Sequence, residues 1–301
     1  MKIKQIATTK ESVFMIDEHQ GLWRADLDRV LGVKVTPIGN PYSWLKVAGG
    51  YWHAVAINTD GTLCEVGGEV TPIESVSYWT QIACGNWHTV SIKADKTLWG
   101  IGHNNYGQIG GYSEDKTILT QIESTADWVQ VACGGFHTVA LKQDGTLWGL
   151  GSNGYSQIAG TGNKGTLTQI GTSNDWVQVS CGAYHTVAIK SDRTLWGLGF
   201  NYYGQIGGTG DKNELTQIGI DGDWSHVSCG FWHTVAIKSD GTAWGIGRND
   251  HHPIRYEETR RTLSPIDNKT NWVQSVCTEN STVLLNTDGE VHIIRLELES
   301  W

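Results

Sequence analysis

Bulky apolar residues in this chain alternate with small or polar ones. In Thr138-Val139-Ala140-Leu141-Lys142-Gln143 the bulky positions are Val139 and Leu141. A period of two predicts a strand, not a helix. Asp144-Gly145 follows, a hairpin signal because glycine accepts a positive φ. Leu147-Trp148-Gly149-Leu150-Gly151 predicts the next strand, its glycines marking a close approach or a bend. Leu167-Thr168-Gln169-Ile170 begins another, and Trp128-Val129-Gln130-Val131 precedes them all. One stretch of chain thus supplies about four short strands.

The stretch is repeated. Its opening tryptophan falls at Trp44, Trp79, Trp128, Trp176, Trp224 and Trp272, spaced by 35, 49, 48, 48 and 48 residues. A degenerate copy stands in front. There Ile3 takes the tryptophan place, Ile6-Ala7 aligns with Val131-Ala132, and Leu22-Trp23 aligns with Leu147-Trp148. Seven copies therefore start near residues 3, 44, 79, 128, 176, 224 and 272, and residues 1–301 are expected to form one domain. Four strands recurring at this interval predict an all-β fold, a seven-bladed β-propeller of four-stranded blades. A closed ring also removes exposed sheet edges.

Three copies diverge. Copy two has Glu65-Val66-Gly67-Gly68 where others read W-G-x-G, and lacks the long N-x-x-G-Q-I-G loop. Copy six replaces that loop with Asn249-Asp250-His251-His252-Pro253-Ile254-Arg255-Tyr256. The seventh ends in an alternating stretch from Glu290. We expect this stretch to pair with a strand from the start of the chain, so that cutting residues 290–301 unfolds the protein.

Composition narrows the function. With 38 Gly, 15 Trp and only 5 Pro in 301 residues, the chain reads as tight turns and large packed side chains, not disorder. A net charge of −9 argues against a nucleic-acid partner, which needs a basic face. No apolar run approaches a membrane span, and the N-terminus has no signal-peptide pattern, so a cytoplasmic location, or exit by a route that needs no signal, is expected. The sequons at Asn268 and Asn280 are then unused.

His53, His88, His137, His185 and His233 occupy one place in five copies, and Cys84, Cys133, Cys181, Cys229 and Cys277 another. A residue needed once for chemistry is not written five times. Hydrogen-bonding histidines and buried reduced thiols are expected, with no metal and no cofactor. Eleven tryptophans fall at the two repeated positions and are expected in the core between blades. The residue before each repeated histidine is Trp52, Trp87, Phe136, Tyr184 and Trp232. Two readings stay open for this ring: packing against the neighbouring blade, or an exposed apolar rosette that marks a binding surface. Tyr106, Tyr155, Tyr202 and Tyr203 lie in Asn- and Gly-rich loops of recognition-loop composition. His251, His252, Arg255 and Tyr256 of copy six form a second candidate.

The run CGxxHTVAIKxDGTLWGxGxNxxGQIGxG, followed closely by residues 79–248, resembles the repeat of the RCC1 (regulator of chromosome condensation) family. The resemblance implies a seven-bladed propeller. It leaves three contexts for a non-enzymatic scaffold that binds a protein partner. The first is a structural or attachment component of a bacteriophage particle, a reading compatible with host-surface contact. The second is a soluble inhibitor or adaptor, since one secreted propeller of this kind blocks an enzyme with its aromatic face. The third is guanine-nucleotide exchange on a small GTPase, the founding member's function, although no exchange wedge is matched here. No G-x-S-x-G, H-E-x-x-H or P-loop motif is present, and no enzyme activity is expected.

Overall fold

The computed structural model describes residues 1–27, 34–40, 43–74, 78–250, 252–254 and 258–294. They form seven antiparallel sheets, six of four strands and a last one with three described strands. The first strands of the sheets are Ile3–Thr8, Trp44–Gly49, Trp79–Cys84, Trp128–Cys133, Trp176–Cys181, Trp224–Cys229 and Trp272–Cys277. Their starting residues are those predicted from the repeat. Each first strand packs beside the next around the full circle, including Trp272–Cys277 against Ile3–Thr8. The molecule is a seven-bladed β-propeller.

Blade four shows how sequence sets register. Trp128–Cys133 pairs with His137–Lys142, placing Cys133 opposite Thr138 and Trp128 opposite Lys142. The next strand, Leu147–Gly151, puts Gly151 opposite His137. Histidines therefore stand at one end of every regular blade, and hairpins at the other, Asp-Gly in blades four and six, Asp95-Lys96 in blade three and Asp192-Arg193 in blade five. Gly149 is required by the fourth connection, because Ile158 of the long loop rests on it. A Cβ there would stand 2.5 Å from Ile158 Cγ2.

The core lies between blades. Val139, Leu141 and Leu147 of blade four, with Ile158 of its loop, pack against Trp176, Val179 and Ala188 of blade five. Trp128 packs likewise on Val90, Ile92 and Leu98 of blade three. Each opening tryptophan thus anchors its blade to the preceding one, contributing roughly 1.5–3 kcal/mol by burial. The strand-ending lysine stacks on both repeated tryptophans. Lys142 Nζ sits 4.8 Å from the Trp128 ring and 5.0 Å from Trp148, and pairs with Asp127 at 3.1 Å.

Side chains of the first strands also tie neighbouring blades. Gln130 Nε2 donates to Val179 O at 3.2 Å, and Gln130 Oε1 accepts from Val179 N at 3.1 Å. Gln5 joins Val47 in the same way. Gln274 does so with Ile6 at 3.2 and 3.1 Å, which closes the ring between the last blade and the first. This differs from the expected closure by strand exchange. Among the described residues, Val291–Ile294 pairs only with Thr282–Asn286, and Ile3–Thr8 only with Ser12–Asp17. Each described sheet is built from contiguous chain, and the remainder of the expected closing stretch, residues 295–301, lies outside the described residues.

Candidate protein-binding face

The repeated histidines are bolts between blades. His88 Nε2 meets Thr138 Oγ1 of the next blade at 3.1 Å, and that hydroxyl donates to Gln108 O at 2.9 Å. With its proton given to Gln108, the hydroxyl accepts from His88, so His88 carries its proton on Nε2. His137–Thr186–Gln157 and His185–Thr234–Gln205 repeat the chain of bonds. His53 reaches Thr89 at 2.8 Å and His233 reaches Thr282 at 3.2 Å. Glycine before the turn makes room: a Cβ at Gly182 would lie 2.1 Å from His185 Cε1. The Nδ1 atoms of His88, His137, His185 and His233 are buried with no partner. Burial pulls these four imidazoles down to about 3, so they are neutral near pH 7.

The thiols complete the same seam. Cys133 Sγ donates to Ala83 O of the preceding blade at 3.5 Å, and Cys181 to Ala132 O at 3.8 Å. Burial pushes Cys84 and Cys229 up to about 12, which makes them protonated donors and not nucleophiles. All six cysteines are free. Among the described residues no group of three or more His, Cys, Asp or Glu side chains is placed to hold a metal ion.

The long loops also resolve into structural and exposed positions. Asn153 Nδ2 donates to Ala159 O, Gly160 O and Gly162 O at 2.9, 3.2 and 3.1 Å, while its Oδ1 accepts from Ile158 N at 2.8 Å. Gln157 Oε1 accepts from Tyr155 N at 3.0 Å. Asn and Gln are therefore the loop's internal frame, and Tyr155 is its exposed large side chain. Copy six keeps the frame despite its different sequence. Asn249 Oδ1 still accepts from Ile254 N at 3.0 Å, and His252 takes the left-handed turn position with φ 54°. We expect Asn153→Ala to cost on the order of 3 kcal/mol, because it strands a buried amide and several carbonyls. Tyr155→Ala should cost under about 1 kcal/mol. Urea unfolding of the two variants checks the contrast.

What remains at this end of the propeller is aromatic. Trp52 and Trp87 are 48% and 52% exposed, and their rings lie 5.8 Å apart. Tyr106, Tyr155 and Tyr202 are 39%, 42% and 67% exposed. Phe136, Tyr184, Trp232 and Tyr203 are half-buried beneath them. Tyr184 meets Trp232 at 5.2 Å and Tyr155 at 5.4 Å, and Tyr203 meets Trp232 at 5.8 Å. Phe136 joins Tyr106 at 5.3 Å. The five members of the ring divide: Trp52 and Trp87 face solvent, while Phe136, Tyr184 and Trp232 are half-buried against neighbouring rings. Of the copy-six candidate, His251, Arg255 and Tyr256 lie outside the described residues.

Four members escaped the repeat-by-repeat reading. Tyr51 and Phe231 come from blades two and six, yet their rings meet at 4.9 Å, across the axis. Tyr51 Oη donates to Glu279 at 2.8 Å. Phe200 lies 4.9 Å from Tyr155 and 5.5 Å from Trp232. His103 lies 5.7 Å from Phe136. The signal was available as departure from the repeat: Tyr51 and Phe231 stand where other copies have Asn86, Gly135 and Ala183. Cations flank the cluster, with Lys10 Nζ 4.7 Å from the Trp52 ring and Arg248 Cζ 5.5 Å from Tyr203.

Residues 79–108, 128–157, 176–205 and 224–252 match a family model of the regulator of chromosome condensation (RCC1) repeat, and residues 95–141 and 144–189 match a second model of it. A search of the curated proteins returned no match. Among solved structures, yeast RCC1 (Prp20) bound to Kap60 is similar at 15% identity, with 99% of this chain and 81% of that chain covered and a TM-score of 0.82. Human WBSCR16 is similar at 16% identity, covering 98% of this chain and 86% of that one, with a TM-score of 0.78. The CRINKLY WD40 ectodomain of the Arabidopsis thaliana receptor kinase ACR4 follows at 12% identity, 98% and 96% coverage and a TM-score of 0.61. At these identities the solved structures establish the fold, and the repeat matches establish the family: the chain belongs to the RCC1 repeat family.

Proposed function

We propose that this protein is a non-enzymatic recognition scaffold that binds a protein partner through the aromatic end of its propeller. The observation that carries the reading is the connected cluster of rings from Trp87 through Trp52, Tyr51, Phe231 and Trp232 to Tyr184 and Tyr155. Trp and Tyr are the residues most enriched among binding hot spots, and a clustered apolar surface is a liability unless something covers it. The frame beneath is rigid, since histidine, threonine and asparagine side chains are spent on internal bonds. Little ordering cost is then left for binding. The repeated histidines, the obvious catalytic candidates, are buried and neutral, which favours binding over catalysis.

Solved relatives support a protein as the partner. Prp20 is described bound to Kap60 and with binding properties toward Gsp1p and histones. The same face serves a particle subunit, a soluble inhibitor or adaptor, and an exchange factor alike. A tagged pull-down from the native source with mass spectrometry separates them. Capsid or tail proteins point to a bacteriophage particle, one soluble enzyme to an inhibitor, and a small GTPase to exchange. Recovery of no stoichiometric protein contradicts the scaffold reading.

A further inference from the structure

Blade two raises no long loop at the aromatic end. Its third strand, Leu63–Val66, passes to its fourth, Val70–Glu74, through residues 67–69, where blade four uses residues 152–163. A Cβ at Gly67 or Gly68 would meet nothing within 4 Å. Beside this short connection, between blades one and two, opens a single cavity of about 430 Å³. Trp52 lines it, and so do Glu11, Glu65 and Glu69. All three glutamates are exposed. Among the described residues, none of the three carboxylates has an ion pair or a hydrogen bond.

The other charged and titratable groups of the same cavity are engaged within the chain. Arg24 Nε donates to Asp26 at 2.6 Å and to Ser12 Oγ at 3.1 Å, and its Nη1 donates to Gly67 O. His53 Nε2 is spent on Thr89. Lys10 Nζ lies over the rings of Tyr51 and Trp52, at 5.2 and 4.7 Å. The Arg24–Asp26 pair is neutral, so three carboxylates stand against the one ammonium of Lys10. An excess of negative charge is left beside a half-exposed indole.

This charge sets a condition on whatever covers Trp52. A partner that buries the indole also strips water from the carboxylates around it, and a desolvated carboxylate without a counter-ion is costly. A partner that brings a cation removes that cost. Arginine suits the notch best, because its planar guanidinium pairs with carboxylates bidentately and stacks on aromatic faces. Lys10 shows that the Trp52 ring already accepts a cation.

We propose that the partner of the aromatic end places an arginine side chain in this notch. Its guanidinium lies against the Trp52 ring and pairs with carboxylates among Glu11, Glu65 and Glu69. The inference rests on the aromatic end being the binding face, and it adds the chemistry that the partner brings to one place on that face.

The probe is the tripeptide acetyl-Gly-Arg-Gly-amide, titrated into the isotope-labelled full chain and followed by the NMR signals of the indole N–H groups. Trp52→Phe identifies the Trp52 signal. The wild type should give a saturable shift of that signal, weaker as sodium chloride is raised. Glu65→Gln/Glu69→Gln should bind the tripeptide at least tenfold more weakly with Tm unchanged, since both side chains are exposed. The proposal is overturned if the wild type gives no saturable shift, if the double variant binds as the wild type does, or if the glutamate tripeptide binds as tightly. A lysine tripeptide of equal affinity would overturn the assignment to arginine. The titration needs no partner, so the two readings fail separately. A silent titration, with capture still lost in Trp52→Ala/Trp87→Ala, removes the notch and leaves the scaffold standing. Saturable arginine binding with no protein recovered contradicts the scaffold while the chemistry of the notch stands.

Discussion

Lowering the pH from about 6.5 toward 4.5 is expected to unfold this protein before its carboxylates titrate. His88, His137, His185 and His233 are held down to about 3 by burial, against an ordinary value of 6.5. In the unfolded chain each binds a proton below about pH 6.5, and in the folded chain only near pH 3. Stability is therefore full above pH 6.5 and falls as pH drops through the window between the two values. At pH 5 the loss is about 2 kcal/mol per histidine, on the order of 8 kcal/mol for four, comparable with the whole stability of a typical domain. The structural reason is specific. Nε2 already carries the proton that bonds threonine, so a second proton must go to Nδ1, which is buried with no acceptor. Urea unfolding at pH 7.5, 6.5, 5.5 and 5.0 measures the slope, to which these four histidines should contribute about four protons per unfolding event, with His53 and His226, also lowered by burial, adding to it. His137→Gln should be less stable at pH 7.5 and should lower that slope by one proton. A flat profile down to pH 5 would remove the histidines from the seam.

The second large effect is expected in binding, not folding. Trp52 and Trp87 lie side by side at the surface, their rings 5.8 Å apart and tilted by 35°, and their removal leaves the interblade core intact. Trp52→Ala/Trp87→Ala should reduce affinity for the captured partner at least roughly 100-fold, since each hot-spot tryptophan is worth about 2 kcal/mol or more. The stability change should stay within about 1 kcal/mol per site, as at other exposed positions. The two rings touch, so the single variants will not sum to the double. A drop in Tm large enough to explain lost binding would instead make these tryptophans part of the core.

The fold was legible because a propeller writes its geometry seven times. The opening tryptophans mark the first strands, and an aspartate followed by Gly145, Gly241, Lys96 or Arg193 marks the hairpins of the regular blades. Positions whose meaning depends on a neighbouring blade were less legible. The lysine that ends Thr138–Lys142 alternates like any strand residue, and nothing local says that it caps two tryptophans. Asn153 and Gln157 sit in a loop whose composition reads as recognition, yet both are buried in bonds to that loop's own backbone. Copy six looked like a replaced loop, and it keeps the shape because Asn249 and Ile254 hold the same spacing as Asn153 and Ile158. Tyr51 and Phe231 meet only because the ring brings blades two and six across from each other.

Hydroxyl-radical footprinting with and without the captured partner tests the aromatic face most directly, because it reads side-chain exposure of tryptophan and tyrosine residue by residue. Trp52, Trp87, Tyr155 and Tyr202 should lose reactivity in the complex. Tyr78, which is 70% exposed at the opposite end of the propeller, should keep it. Protection of Tyr78 with no change at the four aromatic-face residues would contradict the account.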